Sequence, residues 1–549
     1  MLAAFLSFAL ISSNAYSYLD PQFDKHAVKT YNIEVSGKAI PEKCYLLQRF
    51  PGLENKINKD EDALCAMNLY PTRGDHPKTQ MFYGCPKVNS TSVAVEFYTA
   101  PKGMTEAQFQ KAVCPLTRSA KKALKAKSGY PDKEAKFKFA APGVSVGSIL
   151  GYSRLTQLFK SVDVPPSVLR TVSLDTVLDH ALAGRYLGLQ MGNTYLNQYW
   201  YDQIGHLVRA KHGNVAQLPD VYTKPPHGLG IVPTSFYKDG KRRGLSANST
   251  AYWTPRILTE DKLQVFGVLS ENPGNEELYA EAFGLKSDKT RIDQFRNSSV
   301  FWPLLKDPRP VSQILGSTEL SKAGQKMLGM QDSSDMLVMD FLLDQADRIG
   351  NIHYKRRQFF KTAQGTLDSI SDKKYKELLA KPANTLTPAE VEVLGAIKQT
   401  GVSLKVMLLK DNDGGFDMNT AKKYALIADV KKTSATYDSW KDNADLFLNA
   451  TMVVKHFSPQ TYKGVMRLYG QVFGTPETQL AMETYFRNSL QFTAAEYKIF
   501  KNNLLSLYRA LYKNCKSGSL YLDLDIKDYF SNNPNPVLTT TPGVCEGQF

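Results

Sequence analysis

The sequence predicts an α+β protein of two lobes, with a mixed α/β N-terminal lobe over residues 18–265 and a mainly helical C-terminal lobe over residues 266–549. Two observations support this fold class. Segments typical of strands occur before residue 141, whereas the chain after Phe416 has the apolar spacing of helices almost throughout. With 549 residues, 42% of them hydrophobic, the chain is long enough to bury the cores of two domains.

The N-terminal lobe combines strands with helices. TSVAVEFYT (Thr91–Thr99) and EAKFKFA (Glu134–Ala140) have the composition and alternation of strands, and a helical pattern covers Thr105–Lys127 between them. Another helix is predicted over Ser148–Lys160, and the tandem prolines of VDVPPSVLR (Val162–Arg170) require an extended backbone after it. The segment that follows is rich in Gly, Pro and Asn, and its pattern does not locate its strands.

The C-terminal lobe is predicted from helical periodicity and helix boundary signals. The apolar spacing of SSDMLVMDFLLDQA (Ser333–Ala346) indicates a helix, and VSLKVMLL (Val402–Leu409) is typical of a buried strand. Between them, a Thr-Pro-Ala-Glu sequence at Thr387 starts a helix that Gly401 ends, so we expect an inserted helical pair. Four helical segments are predicted after the strand, the last with a capping box at Thr493: NTAKKYALIADVKK, SWKDNADLFLNATMVVKHF, ETQLAMETYFRNSL and AAEYKIFKNNLLSLYRALYKN.

The chain begins with an apolar segment that resembles a secretory signal peptide. Residues 1–17, MLAAFLSFALISSNAYS, end in small residues, and cleavage is expected near Ala15 or Ser17. No other stretch is long and apolar enough to span a bilayer, so we expect no transmembrane segment after signal removal. These features predict a secreted or extracytoplasmic location, in the periplasm, the secretory lumen or outside the cell.

The six cysteines agree with export. Their even number and the lack of a CxxC spacing favour disulfide bonds over a zinc site. We expect one bridge between Cys515 and Cys545, which would fix the C-terminal tail, and two more among the remaining cysteines: Cys44, Cys65, Cys85 and Cys114. The eight histidines are scattered and form no HExxH motif, which argues against a dedicated transition-metal centre.

The charge balance favours anionic partners. Lys and Arg number 68 against 53 Asp and Glu, which gives a net charge of +15 and a pI of about 9.2. Nucleotides, acidic proteins, glycans and lipid surfaces are all compatible with this balance. Because the start of the chain predicts export, we do not expect nucleic acid as a partner.

Two short segments carry candidate catalytic chemistry, DQADRIGNIHY (Asp344–Tyr354) and LKVMLLKDNDGGF (Leu404–Phe416). Phosphoryl transfer needs one carboxylate to accept the proton of the attacking hydroxyl, and oxygen ligands for the divalent ions on the ATP phosphates. Asp347 fits the first role and Asp411 the second. The metal ligands predicted beside Asp411 are the amide oxygen of Asn351 and the carboxylate of Asp413, because Mg²⁺ and Mn²⁺ prefer oxygen.

Each segment also has a purely structural interpretation. An Ala-Asp-Arg sequence after a helix is often only a capped helix end, and Asp-Asn-Asp-Gly-Gly forms turns readily. A calcium loop is excluded, because the EF-hand pattern needs Gly at its sixth position and Glu at its twelfth. Those positions here are Phe416 and Lys422.

Together with their surroundings, the two segments resemble the secretory-pathway kinases known as family with sequence similarity 20 and, more distantly, phosphoinositide lipid kinases. The matching motifs, in the family's order, are Val164-Pro165-Pro166 after a helix, Asp340-Phe341-Leu342 followed by Asp347-Arg348, and the metal loop Asp411-Asn412-Asp413-Gly414-Gly415-Phe416. The resemblance implies a bilobal kinase-like fold and a secreted, disulfide-bonded enzyme. Such an enzyme would use ATP with Mn²⁺ or Mg²⁺ to phosphorylate hydroxyls of proteins or glycans.

The resemblance also suggests how the nucleotide is bound. By position, Lys138 of KFKFAAP corresponds to the lysine that contacts the phosphates, and Arg348 is a second candidate for cofactor binding. Lys138 is equally compatible with an outward position on an amphipathic strand. The family's helix before the Val-Pro-Pro segment begins with a Glu that is absent here, and neither Glu134 nor Glu96 is an evident substitute. No standard Gly-rich loop is visible.

Asp347 and Asp411 are 64 residues apart, which is long for a kinase and agrees with the inserted helical pair.

Two other functions remain open. A secreted pseudokinase or binding protein on the same scaffold would explain the missing Glu. A serine hydrolase is the other alternative, because GVSVG (Gly143–Gly147) matches the G-x-S-x-G nucleophile turn, with Ser145 as nucleophile. The basic charge favours an acidic protein or glycan as acceptor, but the sequence specifies neither the acceptor nor the oligomeric state.

Overall fold

The computed structural model describes residues 27–35, 37–47, 49–53, 58–70, 81–87, 93–116, 120, 133–140, 144–159, 162–190, 194–212, 258–274, 276–284, 301, 303–345, 348, 351–416, 454–532 and 534–548. The chain divides into two compact units. The first comprises Met1–Leu150, Pro166–Gly274 and Tyr485–Phe492, and the second comprises Gly151–Pro165, Asn275–Thr484 and Thr493–Phe549. The predicted signal peptide and the predicted catalytic residue Asp347 lie outside the described residues.

The first unit is built on an antiparallel sheet. Its strands are β1 (Ala27–Val35), β2 (Lys38–Leu46), β3 (Phe82–Pro86), β4 (Val95–Thr99), β5 (Lys133–Phe139), β6 (Ser167–Ser173) and β7 (Gln264–Glu271). They lie in the order β1-β2-β6-β7-β5-β4-β3, and every neighbouring pair is antiparallel. The helices are α1 (Lys59–Cys65), α2 (Glu106–Val113), α3 (Val146–Phe159, in this unit up to Leu150), α4 (Leu174–Gln190) and α5 (Thr194–His212).

Two disulfides attach helices to this sheet. Cys44 of β2 is bonded to Cys65, the last residue of α1, and Cys85 of β3 is bonded to Cys114 at the end of α2. Helix α2 ends at Val113, well short of the predicted Lys127. The sequence carried the signal for this end, because Pro115 has no backbone N–H to continue the α-helical hydrogen bonds. Ala120 is helical again, and the remainder of the predicted helix, residues 121–127, lies outside the described residues.

A buried ion pair also fastens α1 to the sheet. The Arg170 guanidinium on β6 and the Glu42 carboxylate on β2 are both fully buried and form a salt bridge. The terminal nitrogens of Arg170 donate to the carbonyl oxygens of Leu64 at 2.9 Å and Met67 at 2.6 Å. Arg170 thereby binds one carbonyl in the last turn of α1 and one just after the end of the helix, where regular helical partners run out.

The second unit has a smaller sheet surrounded by helices. Its strands are β8 (Glu277–Leu278), β9 (Ile352–Lys361), β10 (Leu367–Ser371) and β11 (Val402–Leu409), and β9 pairs with each of the other three. Its helices are α6 (Tyr279–Ala282), α7 (Val311–Leu315), α8 (Leu320–Leu342), α9 (Asp372–Ala380), α10 (Pro388–Thr400), α11 (Pro459–Val472), α12 (Pro476–Thr484), α13 (Ala494–Lys516) and α14 (Ile526–Tyr529).

Helix α8 covers the open edge of β11 with polar side chains. The Gln325 amide accepts from the Lys405 N–H at 2.8 Å and donates to the Lys405 carbonyl at 2.9 Å, as a neighbouring strand would. Two turns further, Asp332 accepts from the Met407 N–H at 2.8 Å. These bonds satisfy backbone groups that an edge strand otherwise exposes, and they account for the buried polar side chain of Asp332.

Several predicted elements are confirmed. Helix α10 begins at Pro388 after the Thr387–Glu390 capping box and ends before Gly401, and α13 begins after the Thr493 capping box. Helices α9 and α10 lie between β10 and β11, where an inserted helical pair was expected. The predicted Cys515–Cys545 bridge is present. The mixture of antiparallel sheet and helices agrees with the α+β class.

Other predictions were wrong or incomplete. Residues 454–457, the end of the predicted helix SWKDNADLFLNATMVVKHF, are not helical, because His456 forms a β-bridge with Tyr521. The rest of that helix, and all of NTAKKYALIADVKK, lie outside the described residues. Helices α4 and α5 were missed in a segment where no element was located. Within the described part of the chain, no helix has the length and apolar content to cross a membrane.

Candidate active site

Two paired strands bring the ends of the two predicted loops together. β9 begins at Ile352, within the predicted catalytic segment Asp344–Tyr354, and β11 ends at Leu409, two residues before Asp411 of the predicted metal loop. The strands are antiparallel and Ile352 is opposite Leu409, so the start of β9 lies beside the end of β11. The Lys410 N–H donates to the Asn351 carbonyl at 3.3 Å and joins the loops directly.

Arg348 connects the same two loops through its side chain. Its guanidinium is fully buried, and Nε donates to both carboxylate oxygens of Asp340, at 3.1 and 3.0 Å. Nη1 donates to the carbonyls of Asn351 at 3.4 Å and Lys410 at 3.2 Å. Nη2 donates to the Asn412 side-chain oxygen at 2.7 Å. One side chain therefore binds the predicted catalytic loop, the predicted metal loop and the helix α8 that precedes them.

Asp340 and Tyr152 complete the surroundings of this guanidinium. The Tyr152 hydroxyl, on α3, donates to Asp340 Oδ1 at 2.5 Å, and the Tyr152 ring centre lies 5.1 Å from Arg348 Cζ. Burial raises the pKa of the Asp340 carboxyl above its ordinary value, and the Arg348 charge and the bonds from Tyr152 and Arg348 offset only part of this rise. Because this carboxylate accepts from two donor groups and faces a guanidinium, we assign it the ionised form.

The metal loop is tightly turned and tied at both ends. Asp411 has left-handed backbone geometry, with φ 48° and ψ 51°, and a single 3₁₀ turn, Asn412–Gly414, follows it. Asn412 donates its amide to the Leu409 carbonyl at 3.1 Å, and the Phe416 N–H donates to the Leu343 carbonyl at 3.0 Å. Asp and Gly tolerate such backbone angles, which explains the Asp-Asn-Asp-Gly-Gly sequence.

The oxygen donors of this region suit Mg²⁺ or Mn²⁺. Asp411 and Asp413 supply carboxylates next to one 3₁₀ turn, and Asn351 lies at the junction with the other loop. The described residues contain no group of three or more His, Cys, Asp or Glu placed to hold a metal ion. Mg²⁺ does not require such a group, because it commonly binds one or two carboxylates together with water and substrate phosphates.

Arg348 was predicted to bind the cofactor, but its contacts indicate a different role. The guanidinium is completely buried and its three nitrogens all donate to protein groups. A nucleotide could reach it only after these bonds had broken. The geometry favours a residue that holds the two loops in position over one that contacts a phosphate.

Lys138 lies in the first unit, on strand β5. It is opposite Val268 of β7 and its side chain is buried, as is that of Lys136. The outward, solvent-facing interpretation is therefore wrong. Helix α3, which follows β5 in the chain, contains no acidic residue. Glu96, one of the two substitutes considered, forms an ion pair with Lys133 at 3.1 Å.

Ser145 serves as a helix cap. Its hydroxyl oxygen accepts from the Ser148 N–H at 3.0 Å, one turn into α3. The preceding strand, β5, is antiparallel to both of its neighbours. A nucleophile turn of the hydrolase type follows a strand of a parallel sheet, so this geometry does not support Ser145 as a nucleophile.

Three supporting residues were not predicted. Asp340 appeared only as part of a motif, and Asn412 only as a loop residue, although both bind Arg348 directly. Asp340 lies eight residues before Arg348 in the preceding helix, and Asn412 directly follows Asp411. These positions could have suggested both residues as partners of Arg348. Tyr152 is 188 residues from Asp340 in the chain, and no local signal connects them.

The chain matches no protein-family model, no curated protein and no solved structure.

Proposed function

We propose that this protein is a secreted, divergent kinase-like phosphotransferase that transfers the γ-phosphate of ATP to a hydroxyl of a protein or glycan with the help of Mn²⁺ or Mg²⁺. The observation that carries the proposal is the junction of the two loops. Arg348 and the Asn351–Lys410 hydrogen bond hold them at one end of the β9–β11 pair. A phosphotransferase needs its base and its metal ligands in such neighbouring loops.

The order of elements along the chain supports the same proposal. Kinases have a phosphate-covering hairpin, then a strand with the phosphate-binding lysine, then a helix, and later a catalytic loop and a metal loop. Here the β3–β4 hairpin precedes β5, which carries Lys138, and α3 follows. In the second unit, α8 precedes the catalytic loop and β11 precedes Asp411.

The chemistry would divide among few residues. Asp347 would accept the proton of the acceptor hydroxyl. The hydroxyl oxygen would form a bond to the γ-phosphorus of ATP as the bond between that phosphorus and the bridging oxygen of ADP breaks. Asp411, Asp413 and Asn351 would hold the ion or ions that neutralise charge on the phosphates. The divalent ion supplies electrostatic stabilisation of the leaving and transferring groups when bound.

Export and an acidic acceptor are part of the proposal. The three disulfides agree with an oxidising compartment, and the net charge of +15 would attract an acidic protein or an anionic glycan.

The test is ATP turnover with Mn²⁺ or Mg²⁺ by the wild type and by two single variants, Asp347→Asn and Asp411→Asn. Each variant should lose about 10²–10⁴-fold in turnover, because one removes the proton acceptor and the other a metal ligand. Asp368→Asn is the matched control, since Asp368 is an exposed residue of β10. Equal turnover in all four proteins would contradict the proposed roles.

A pseudokinase remains the second candidate, and one observation favours it: α3 has no acidic residue to pair with a phosphate-binding lysine. A pseudokinase that retains its pocket should melt at higher temperature with ATP and Mn²⁺, because a ligand that binds only the folded state stabilises it. It should show no turnover in the same buffer. The active enzyme should show both effects.

A further inference from the structure

We propose that Glu276 is a positioning residue that fixes the metal loop through the side chain of Lys410. This inference rests on the proposed function, since it concerns the ion that Asp411 would bind. Lys410 directly precedes Asp411 but no role was predicted for it from the sequence, Glu276 belongs to no motif, and the two residues are 134 positions apart.

The two side chains form a buried ion pair. Lys410 Nζ donates to Glu276 Oε1, and the side chains are only 7% and 13% exposed. His353 Nδ1 lies 3.9 Å from the same carboxylate oxygen, so a second polar group lies beside the pair. A lysine held in this way cannot change rotamer freely, because its charge would lose its partner inside the protein.

Glu276 is itself attached to the strand that follows the catalytic loop. It directly precedes β8, in which Glu277 is opposite Tyr354 and Leu278 is opposite His353 of β9. The anchor of Lys410 is therefore part of the sheet of the second unit. It also comes from a different segment of the chain than the α8–Arg348 anchor.

Asp411 lies between residues that are held from two sides. Arg348 binds the Lys410 carbonyl and the Asn412 side chain, while Glu276 binds the Lys410 side chain. Asp411 itself has left-handed backbone geometry, which Asp tolerates better than most residues but which is still less favourable than in glycine, so contacts on both sides help to hold it. The two buried pairs provide these contacts, and they set the direction of the Asp411 carboxylate.

A buried ion pair of this kind contributes more to geometry than to net stability. The cost of removing both charges from water offsets much of their attraction. In metal sites, residues that orient a ligand commonly change metal affinity or activity by 10- to 100-fold when they are replaced. We therefore expect the function of Glu276 to appear in metal dependence.

The experiment measures the Mn²⁺ concentration for half-maximal ATP turnover, together with Mn²⁺ binding in the presence of ATP followed by the electron paramagnetic resonance signal of free Mn²⁺. Glu276→Gln and Lys410→Met should each require about 10- to 100-fold more Mn²⁺ in both measurements. Because they break the same contact, the double variant should be no worse than either single one. Glu277→Gln is the matched control, since the adjacent Glu277 forms its ion pairs with Arg356 and Lys405.

Two failures are distinguishable. If the wild type turns over ATP and binds Mn²⁺ beyond the amount that ATP alone binds, and Glu276→Gln has the same Mn²⁺ affinity as Glu277→Gln, the positioning role is overturned and the phosphotransferase proposal stands. If the wild type binds no Mn²⁺ beyond that amount and turns over ATP with neither Mn²⁺ nor Mg²⁺, both proposals fall.

A folding defect does not obscure the result. A single variant leaves one buried charge without its partner and can unfold for that reason alone. The double variant Glu276→Gln with Lys410→Met leaves no unpaired charge, so it should melt close to the wild-type temperature. A folded double variant with wild-type Mn²⁺ affinity would overturn the inference.

Discussion

In the part of the chain that the structure describes, Arg170 of the first unit and Arg348 of the second are both fully buried with a carboxylate partner, and they differ in what else they bind. Arg170 binds Glu42 and two carbonyls at the end of α1, next to a disulfide. Arg348 binds Asp340, two carbonyls and the Asn412 side chain, all but Asp340 in loops. The same chemical group thus stabilises a helix–sheet core in one unit and two loops in the other.

The difference lies in the kind of backbone that each guanidinium satisfies. A buried arginine has five N–H donors in fixed directions, so it can satisfy several carbonyls that have no regular partner. In the first unit those carbonyls end a helix, which is a requirement of any helix. In the second unit they belong to irregular loops rich in Asp, Asn and Gly, the same loops to which we assign phosphoryl transfer in our proposal.

The largest expected effect is that of Arg348→Met. It leaves Asp340 buried without its cation, so the free energy of unfolding should fall by about 3–5 kcal/mol. The folded fraction should lose at least about 10²-fold in ATP turnover, because the two loops are no longer held in register. Denaturant unfolding and turnover per folded molecule measure the two effects.

Arg348→Lys sharpens the same prediction. Lysine keeps the charge for Asp340 but cannot bind the Asn351 and Lys410 carbonyls and Asn412 at once. It should restore part of the stability and little of the turnover. If it restored full turnover, charge alone would be sufficient and the loop-positioning role of Arg348 would be wrong.

The next effect is that of Arg170→Met, which should lower the free energy of unfolding by about 3–5 kcal/mol because Glu42 stays buried without its cation. Turnover per folded molecule should remain at the wild-type level, since the residues that Arg170 binds lie around α1. A loss of turnover in folded Arg170→Met comparable with that of Arg348→Met would remove the distinction between the two arginines.

The smallest effect concerns pH and a buried histidine of the first unit. Burial lowers the pKa of His180 from 6.5 to about 4. Between these values the unfolded chain binds a proton that the folded protein does not, so stability falls as pH decreases from 6.5 towards 4. Between pH 7 and pH 5 the loss should be about 2 kcal/mol.

The control for this prediction is His180→Gln, which removes the titrating group at a similar size. Burial also raises the pKa of Glu106 and Asp179. Because the folded protein then binds these protons more tightly than the unfolded chain, these two groups increase stability as pH falls, opposite to the effect of His180. The informative quantity is therefore the difference between wild-type and variant slopes of unfolding free energy against pH. Equal slopes would show that the pKa of His180 is not lowered in the folded protein, which would contradict this prediction.

Elements with a local signal were predictable. The capping boxes at Thr387 and Thr493 located the starts of α10 and α13, because the cap and the third helical residue satisfy each other's backbone groups within one turn. The strands around Val95 and Lys138 followed from alternation and β-branched residues. The positions of Asp411 and Asn351 in turns likewise follow from their own sequence.

Elements that depend on distant contacts were missed. Helices α4 and α5 lie in a segment with mixed polarity and buried polar residues such as His180 and Gln203, which obscure the apolar period. Residues 454–457 were predicted to be helical, but pairing with Tyr521 makes His456 extended. Tertiary hydrogen bonds here outweigh a weak local helical preference.

The sequence by itself determined the α+β class, the Cys515–Cys545 bridge and the two segments whose residue types suit phosphoryl transfer, because these depend on composition and on neighbours within a few residues. Only the tertiary structure decided that Arg348 is enclosed by both loops and that Glu276 holds Lys410. The physical reason is that a buried charge takes whichever partner the packing brings to it, and those partners come from segments far apart in the chain.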